Sequence, residues 1–164
     1  MPTLKEEISL AEAALARGKP IVGIGLGAQI LAIAAGGRSE RSSFDFSVGT
    51  ATRIHDKALA GYLPAEYPLV IYMRDWPVPP ASAEVLAVDA KGRPALWQVG
   101  SRALGFAGHP GLKVAMVEDL VMEFEEAPEN VEAGLVKLRA VQRSIEDALV
   151  PLMTGVVKLM NWMH

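Results

Sequence analysis

The stretch from Leu4 to Ala35 constrains this chain more than any other, because its periodicity changes twice within a short span. Leu4, Ile8, Ala11 and Leu15 recur at helical spacing, and Thr3 with Glu6 has the pattern of a capping box at the helix start. Gly18 stops that helix and Pro20 lies just beyond it. Ile21-Val22-Gly23-Ile24 is then wholly apolar, as expected of a strand buried on both faces of a parallel sheet. From Leu26 to Ala35 the pattern is helical again, and Gly36-Gly37 ends it. Helix, strand, tight glycine turn and helix make an α/β unit. The turn Gly23–Gly27 lies where open α/β sheets place ligands, because backbone N–H groups point outward at a helix N-terminus.

Further along, the polar stretch Arg38–Ser47 reads as a loop, and Val48–Ile54 and Leu69–Tyr72 read as strands. Pro77–Pro80 reads as a rigid turn. Glu84–Asp89 and Pro94–Val99 flank Ala90-Lys91-Gly92-Arg93 and suggest an antiparallel hairpin. Ala103–Ala107 is a last small-residue strand before Gly108-His109-Pro110-Gly111. The C-terminal part differs in character. Val131, Leu135, Leu138, Gln142, Ile145, Leu149, Leu152, Val156, Leu159 and Met163 alternate spacings of three and four. Pro151 is expected to kink this helix or restart it as a second one. So long an apolar stripe points to a helical dimer contact. We therefore expect an α/β domain over 1–128 and a helical extension over 129–164, packing on the domain or on an oligomer partner.

Composition narrows the function classes. The net charge of −3 and the scattered Lys and Arg give no basic patch for nucleic acid, and Arg38 with Arg41 reads as a solvated loop. The absence of cysteine excludes disulfides, zinc-thiolate sites and thiol nucleophiles. The first residues, Met1-Pro2-Thr3-Leu4-Lys5-Glu6-Glu7, do not read as a signal peptide, and Ile30–Ala35 is too short to span a bilayer. A cytoplasmic protein with no membrane contact is the expectation. His55, His109 and His164 have no spacing that announces a metal site, and no cofactor is expected. Trp76 and Trp97 read as core, Ser39–Ser43 as a soluble loop, and Glu123, Glu125 and Glu126 as a solvated helix end.

Lys19-Pro20-Ile21-Val22-Gly23-Ile24-Gly25-Leu26-Gly27-Ala28-Gln29-Ile30-Leu31-Ala32 resembles the nucleophile-elbow signature of class I glutamine amidotransferases. Tyr72-Met73-Arg74-Asp75-Trp76 resembles the family's His-x-Asp-x-aromatic segment. Gly105-Phe106-Ala107-Gly108-His109-Pro110 resembles its Gly-x-Gln-Phe-His-Pro-Glu signature. The resemblance implies a flavodoxin-like open sheet of the class I amidotransferase type. It also implies a truncation, since family domains have further β/α units before the helix that leads to the elbow.

What the resemblance implies about chemistry is a loss. The family uses a cysteine thiolate, a histidine base and a glutamate that orients the imidazole. The corresponding positions here are Gly25, His109 and Gly111. A glutaminase is therefore not expected. The expectation is a non-catalytic relative acting as a structural or regulatory subunit, or holding a small anion. Such an anion would lie at Gly23, Gly25, Leu26, Gly27, Gln29, Asp75 and His109. Two alternatives remain: an enzyme of another class that uses His109 with Asp75 or Arg74, and one half of a split amidotransferase. A strand like Ile21–Ile24 left at a sheet margin invites association, so a homo-oligomer or a protein partner completing the sheet is expected.

Overall fold

A computed structural model describes residues 3–124 and 126–162. The first helix, α1 (Leu4–Ala16), opens with the expected capping box: Thr3 Oγ1 accepts from the Glu6 N–H, and the Glu6 carboxylate accepts from the Thr3 N–H. Strand β1 (Ile21–Ile24) and helix α2 (Leu26–Ala34) complete the unit. Then follow β2 (Arg38–Glu40), β3 (Asp45–Arg53), β4 (Glu66–Met73), β5 (Trp76–Val78), β6 (Glu84–Val88), β7 (Pro94–Val99) and β8 (Ala103–Phe106). Two helices, α3 (Val114–Glu123) and α4 (Val131–Met160), end the described chain. Met163 and His164, and Glu125, lie outside the described residues.

Six strands form one sheet in the order β1-β8-β7-β6-β3-β4. Only β1 and β8 run parallel; the other pairs are antiparallel, including the expected hairpin of β6 and β7. The sheet curls: beyond β8, the His109 N–H donates to the Val70 carbonyl of β4 at 3.1 Å. Helices α1 and α2 pack near β1, where Ala28, Leu31 and Ala32 meet Trp97 and Ala103, with Leu15 and Ile21 at the rim.

Three expectations from the sequence change. Strand β1 is not buried on both faces: only Gly23 is buried, and Ile24 is exposed, because the strand lies at the margin of the sheet. Arg38–Glu40 is a strand rather than loop, and Trp76–Val78 is its antiparallel partner, with Ser39 opposite Pro77. Pro77 can sit there because this pair forms a separate two-stranded ribbon, where a missing N–H is tolerated. Gly37 allows the ribbon to form, since a Cβ at that position would run into the Val78 carbonyl.

Helix α4 runs unbroken through Pro151 rather than restarting there. Its stripe is consumed within the chain. Leu138 and Ile145 join Phe46, Val70, Leu112 and Val117 in one cluster. Leu152, Val156 and Met160 join Leu69, Ile71, Leu86 and Leu104 in another. The first half of α4 thus joins the cluster that holds Val70 of β4, and its second half joins the cluster that holds Leu59, Leu69 and Ile71, with Gly155 set against Leu59. A stripe longer than one cluster requires is thereby accounted for without a second helix.

Candidate functional site

The elbow is built by glycines. Gly23 lies against the start of α2 so closely that a Cβ there would sit 2.5 Å from the Gly27 carbonyl oxygen. Gly25 holds φ 58° and ψ −113°, a conformation that side-chain-bearing residues adopt only under strain. Its N–H donates to the Phe106 carbonyl at 3.0 Å, and its own carbonyl accepts from Ala28 and Gln29. No heavy atom lies within 4 Å of where a Gly25 Cβ would point. The backbone therefore makes a sharp turn that aims one vector into open space and puts no functional group on it. No side chain caps α2. Its first residue, Leu26, is 61% exposed, and Ile24 before the turn is 38% exposed.

His109 follows β8, the strand paired with β1, and is half-buried. Its Nδ1 accepts the Gly111 N–H at 3.1 Å. A neutral imidazole with Nδ1 as acceptor carries its proton on Nε2. Burial holds the imidazole pKa below its ordinary 6.5, and a backbone hydrogen bond partly opposes that shift. His109 is thus a neutral Nε2–H donor. Beside it, a Cβ on Gly111 would lie 3.5 Å from Leu149 of α4, so the helix occupies the flank of this position.

The remaining expected site residues are held by structural bonds. The Gln29 amide donates to the Asp75 carbonyl at 3.1 Å and accepts from the Ser39 hydroxyl at 3.0 Å, tying α2 to the β2–β5 ribbon. The Asp75 carboxylate accepts the Ser42 N–H at 3.4 Å. Arg74 turns away from Asp75 and pairs with Glu126, its guanidinium 5.5 Å from the Phe44 ring centre. So Gly23, Gly25, Leu26 and Gly27 form one turn, His109 and Gly111 lie beyond the neighbouring strand, and Gln29 with Asp75 braces the far side of α2.

Comparison with known proteins decides the family. The family profile described as Glutamine amidotransferase class-I matches residues 1–111. This chain belongs to the class I glutamine amidotransferase family. Among solved structures, it is similar to a glutamine amidotransferase from Thermotoga maritima, with TM-score 0.76 and 20% identity, covering 96% of this chain and 69% of that one. It is also similar to a glutamine amido transferase from Methylobacillus flagellatus, with TM-score 0.70 and 19% identity, over 94% and 70% of the two chains. A third neighbour, a putative GMP synthase component from Thermoplasma acidophilum, has TM-score 0.56 and 19% identity, over 88% and 69%. No curated protein matches the chain. At these identities the structural neighbours establish the fold.

The turn before α2 carries glycine at position 25, and the chain has no cysteine. A base for a nucleophile offers a free lone pair from one ring nitrogen while an acid holds the proton on the other. In this amidotransferase-like site the lone pair is spent on the Gly111 N–H. Among the described residues, no three His, Asp or Glu side chains converge as metal ligands.

An open cleft of this chain lies elsewhere. A cleft of about 630 Å³ is lined by Ser43, Phe44, Asp45, Arg74, Glu126 and Asn130, among others. Of these, sequence reasoning singled out Ser43, Arg74 and Glu126, each for its own segment. They converge from three distant segments, so no local spacing could have revealed the cleft. His55, noted as a lone imidazole, pairs with Glu84 at 2.9 Å on the surface. Trp97 is core, and Trp76 is buried with the Arg93 guanidinium 3.7 Å from its ring centre.

Proposed function

We propose that this chain is a non-catalytic glutamine amidotransferase-like protein, working as a structural or regulatory subunit with an elbow that retains the capacity to hold a small anion. One observation carries the reading: the sharp turn before α2 has Gly25 at its apex, and beyond the neighbouring strand stands a histidine whose Nδ1 lone pair is already used by Gly111. Without a nucleophile the covalent step has no partner, and the neutral Nε2–H of His109 donates rather than accepts. Donation suits a carboxylate or phosphate oxygen. The N–H groups of Leu26 and Gly27 at the start of α2 suit the same ligand.

The free side of β1 supports the idea of a chain that works in an assembly. Ile21 and Gly25 donate to carbonyls of Arg102 and Phe106, so alternation turns the N–H and C=O of Val22 and Ile24 away from β8. A protein partner covering such a margin is the common natural solution. The GMP synthase neighbour, itself described as one component of that enzyme, fits a role inside a larger complex.

The test is a glutaminase assay on the purified chain with isothermal titration of glutamate and phosphate. We expect no ammonia release above the buffer rate and weak heats that diminish in His109→Ala. Ammonia release would end the non-catalytic reading; absent heats would remove the anion and leave the structural role by itself.

A further inference from the structure

Helix α1 has two faces of opposite character. Ile8, Ala11 and Leu15 are half-buried against the chain, and Leu15 packs at the rim of the cluster around Leu31 and Trp97. On the other side, Glu6, Leu10, Ala13 and Arg17 follow one another at spacings of four, three and four. All four are exposed, Leu10 by 72%. Arg17 makes no ion pair among the described residues, and the acidic groups of the first turn, Glu6 and Glu7, have no basic counterpart in the last turn of the helix itself.

The order acid, leucine, alanine, base is symmetric about the point between Ala11 and Glu12. When this helix meets a second copy of itself antiparallel across a two-fold axis, Glu6 faces Arg17 of the other copy, and Leu10 faces its Ala13. Both ends match at once, as an isologous contact requires. The acid–base separation of eleven positions spans about 16 Å at the helical rise of ~1.5 Å per residue, which fits three full turns. Small residues at positions 9, 13 and 16 let the two helices approach closely.

We infer that the outer face of α1 is a self-association surface, and that its partner is a second copy of this chain bound antiparallel through Glu6, Leu10, Ala13 and Arg17. The inference rests on the reading of the chain as an assembling protein and names the partner. One helix per copy buries less than the ~800 Å² per partner of stable complexes, so the dimer forms reversibly with concentration.

Sedimentation velocity of the whole chain over a concentration series tests this. A monomer–dimer equilibrium is expected, and Leu10→Asp weakens it by about tenfold or more, the equivalent of ~1.4 kcal/mol. Glu6→Arg alone and Arg17→Glu alone each place like charges at both ends and weaken the dimer. An equimolar mixture of these two variants restores opposite charges at both ends of every mixed pair, where each single variant has none, and binds more tightly than either component. Circular dichroism confirms that each variant keeps its helices. Wild-type chain that stays monomeric throughout, a dimer indifferent to Leu10→Asp, or a mixture no tighter than its components would each overturn the inference. None of these outcomes changes the glutaminase assay, so the failure of this inference is distinguishable from failure of the non-catalytic reading.

Discussion

The two margins of the sheet are built in opposite ways. At β4, a thirty-residue helix feeds two buried clusters, Leu138 and Ile145 joining the one that holds Val70, and Leu152, Val156 and Met160 joining the one that holds Leu69 and Ile71. At β1, four residues pair with β8, and α1 contributes no buried side chain to cover them. Stability at the first margin comes from apolar area removed from water, which scales with side chains. Shape at the second comes from backbone: the Gly23–Gly27 approach and the Gly25 turn. The difference separates what holds the fold from what forms the site. A backbone-made turn keeps its geometry without calling on any side chain.

The largest effects should therefore fall at the α4 margin. Leu152→Ala empties a fully buried position and should cost about 2–5 kcal/mol, measured by urea denaturation. Leu26→Ala, at the exposed elbow, should stay within about 0.5 kcal/mol. Equal losses at the two leucines would break the comparison. Next in size is Gly23→Ala. Its added Cβ would meet the backbone carbonyl of Gly27 rather than a movable side chain, so about 1–3 kcal/mol should be lost. A neutral Gly23→Ala would show that the β1 margin is not held by backbone contact.

Where the sequence was legible follows the same division. The capping box at Thr3, the strand Ile21–Ile24 and the Gly23–Gly27 turn could all be read because each is encoded within a few adjacent residues. The β6–β7 hairpin was legible for the same reason. The ribbon of Arg38–Glu40 with Trp76–Val78 was not, since a polar segment and a proline-rich one become strands only when brought together. The α4 stripe is legible as apolar, but the buried residues that Leu138, Ile145, Leu152 and Val156 meet are not. Sequence spacing cannot reveal that a helix serves two clusters. At the candidate site, the hydrogen bond from the Gly111 N–H to His109 Nδ1 is not legible in the sequence, because it depends on how the segment after β8 turns.

That hydrogen bond sets the third prediction. Gly25→Cys restores a thiol on the elbow and imposes left-handed strain, costing about 1–3 kcal/mol in thermal denaturation. It should release no ammonia from glutamine, because the His109 lone pair that would take the thiol proton is committed to Gly111. Adding Gly111→Glu supplies the acid and removes nothing from Nδ1 unless the segment shifts, and Leu149 at 3.5 Å restrains that shift. Measurable glutaminase activity in Gly25→Cys alone would show that imidazole placement is not the second barrier to chemistry.

The smallest effect is a titration that reports on the same imidazole. His109 has its pKa lowered in the fold, chiefly by burial, so the unfolded chain binds its proton more readily than the folded one. Stability then rises with pH wherever the unfolded state carries more protons. The contribution is fully present above the ordinary value of 6.5 and is lost as pH falls from there through the lowered value in the fold. Urea midpoints of the wild type should therefore decline below that value, and His109→Gln should flatten the decline. A slope of the opposite sign would mean that the folded state favours the imidazolium, in which case the Nδ1 contact with Gly111 cannot be the dominant state. The elbow would then face a cation, and anion binding there would strengthen as pH falls.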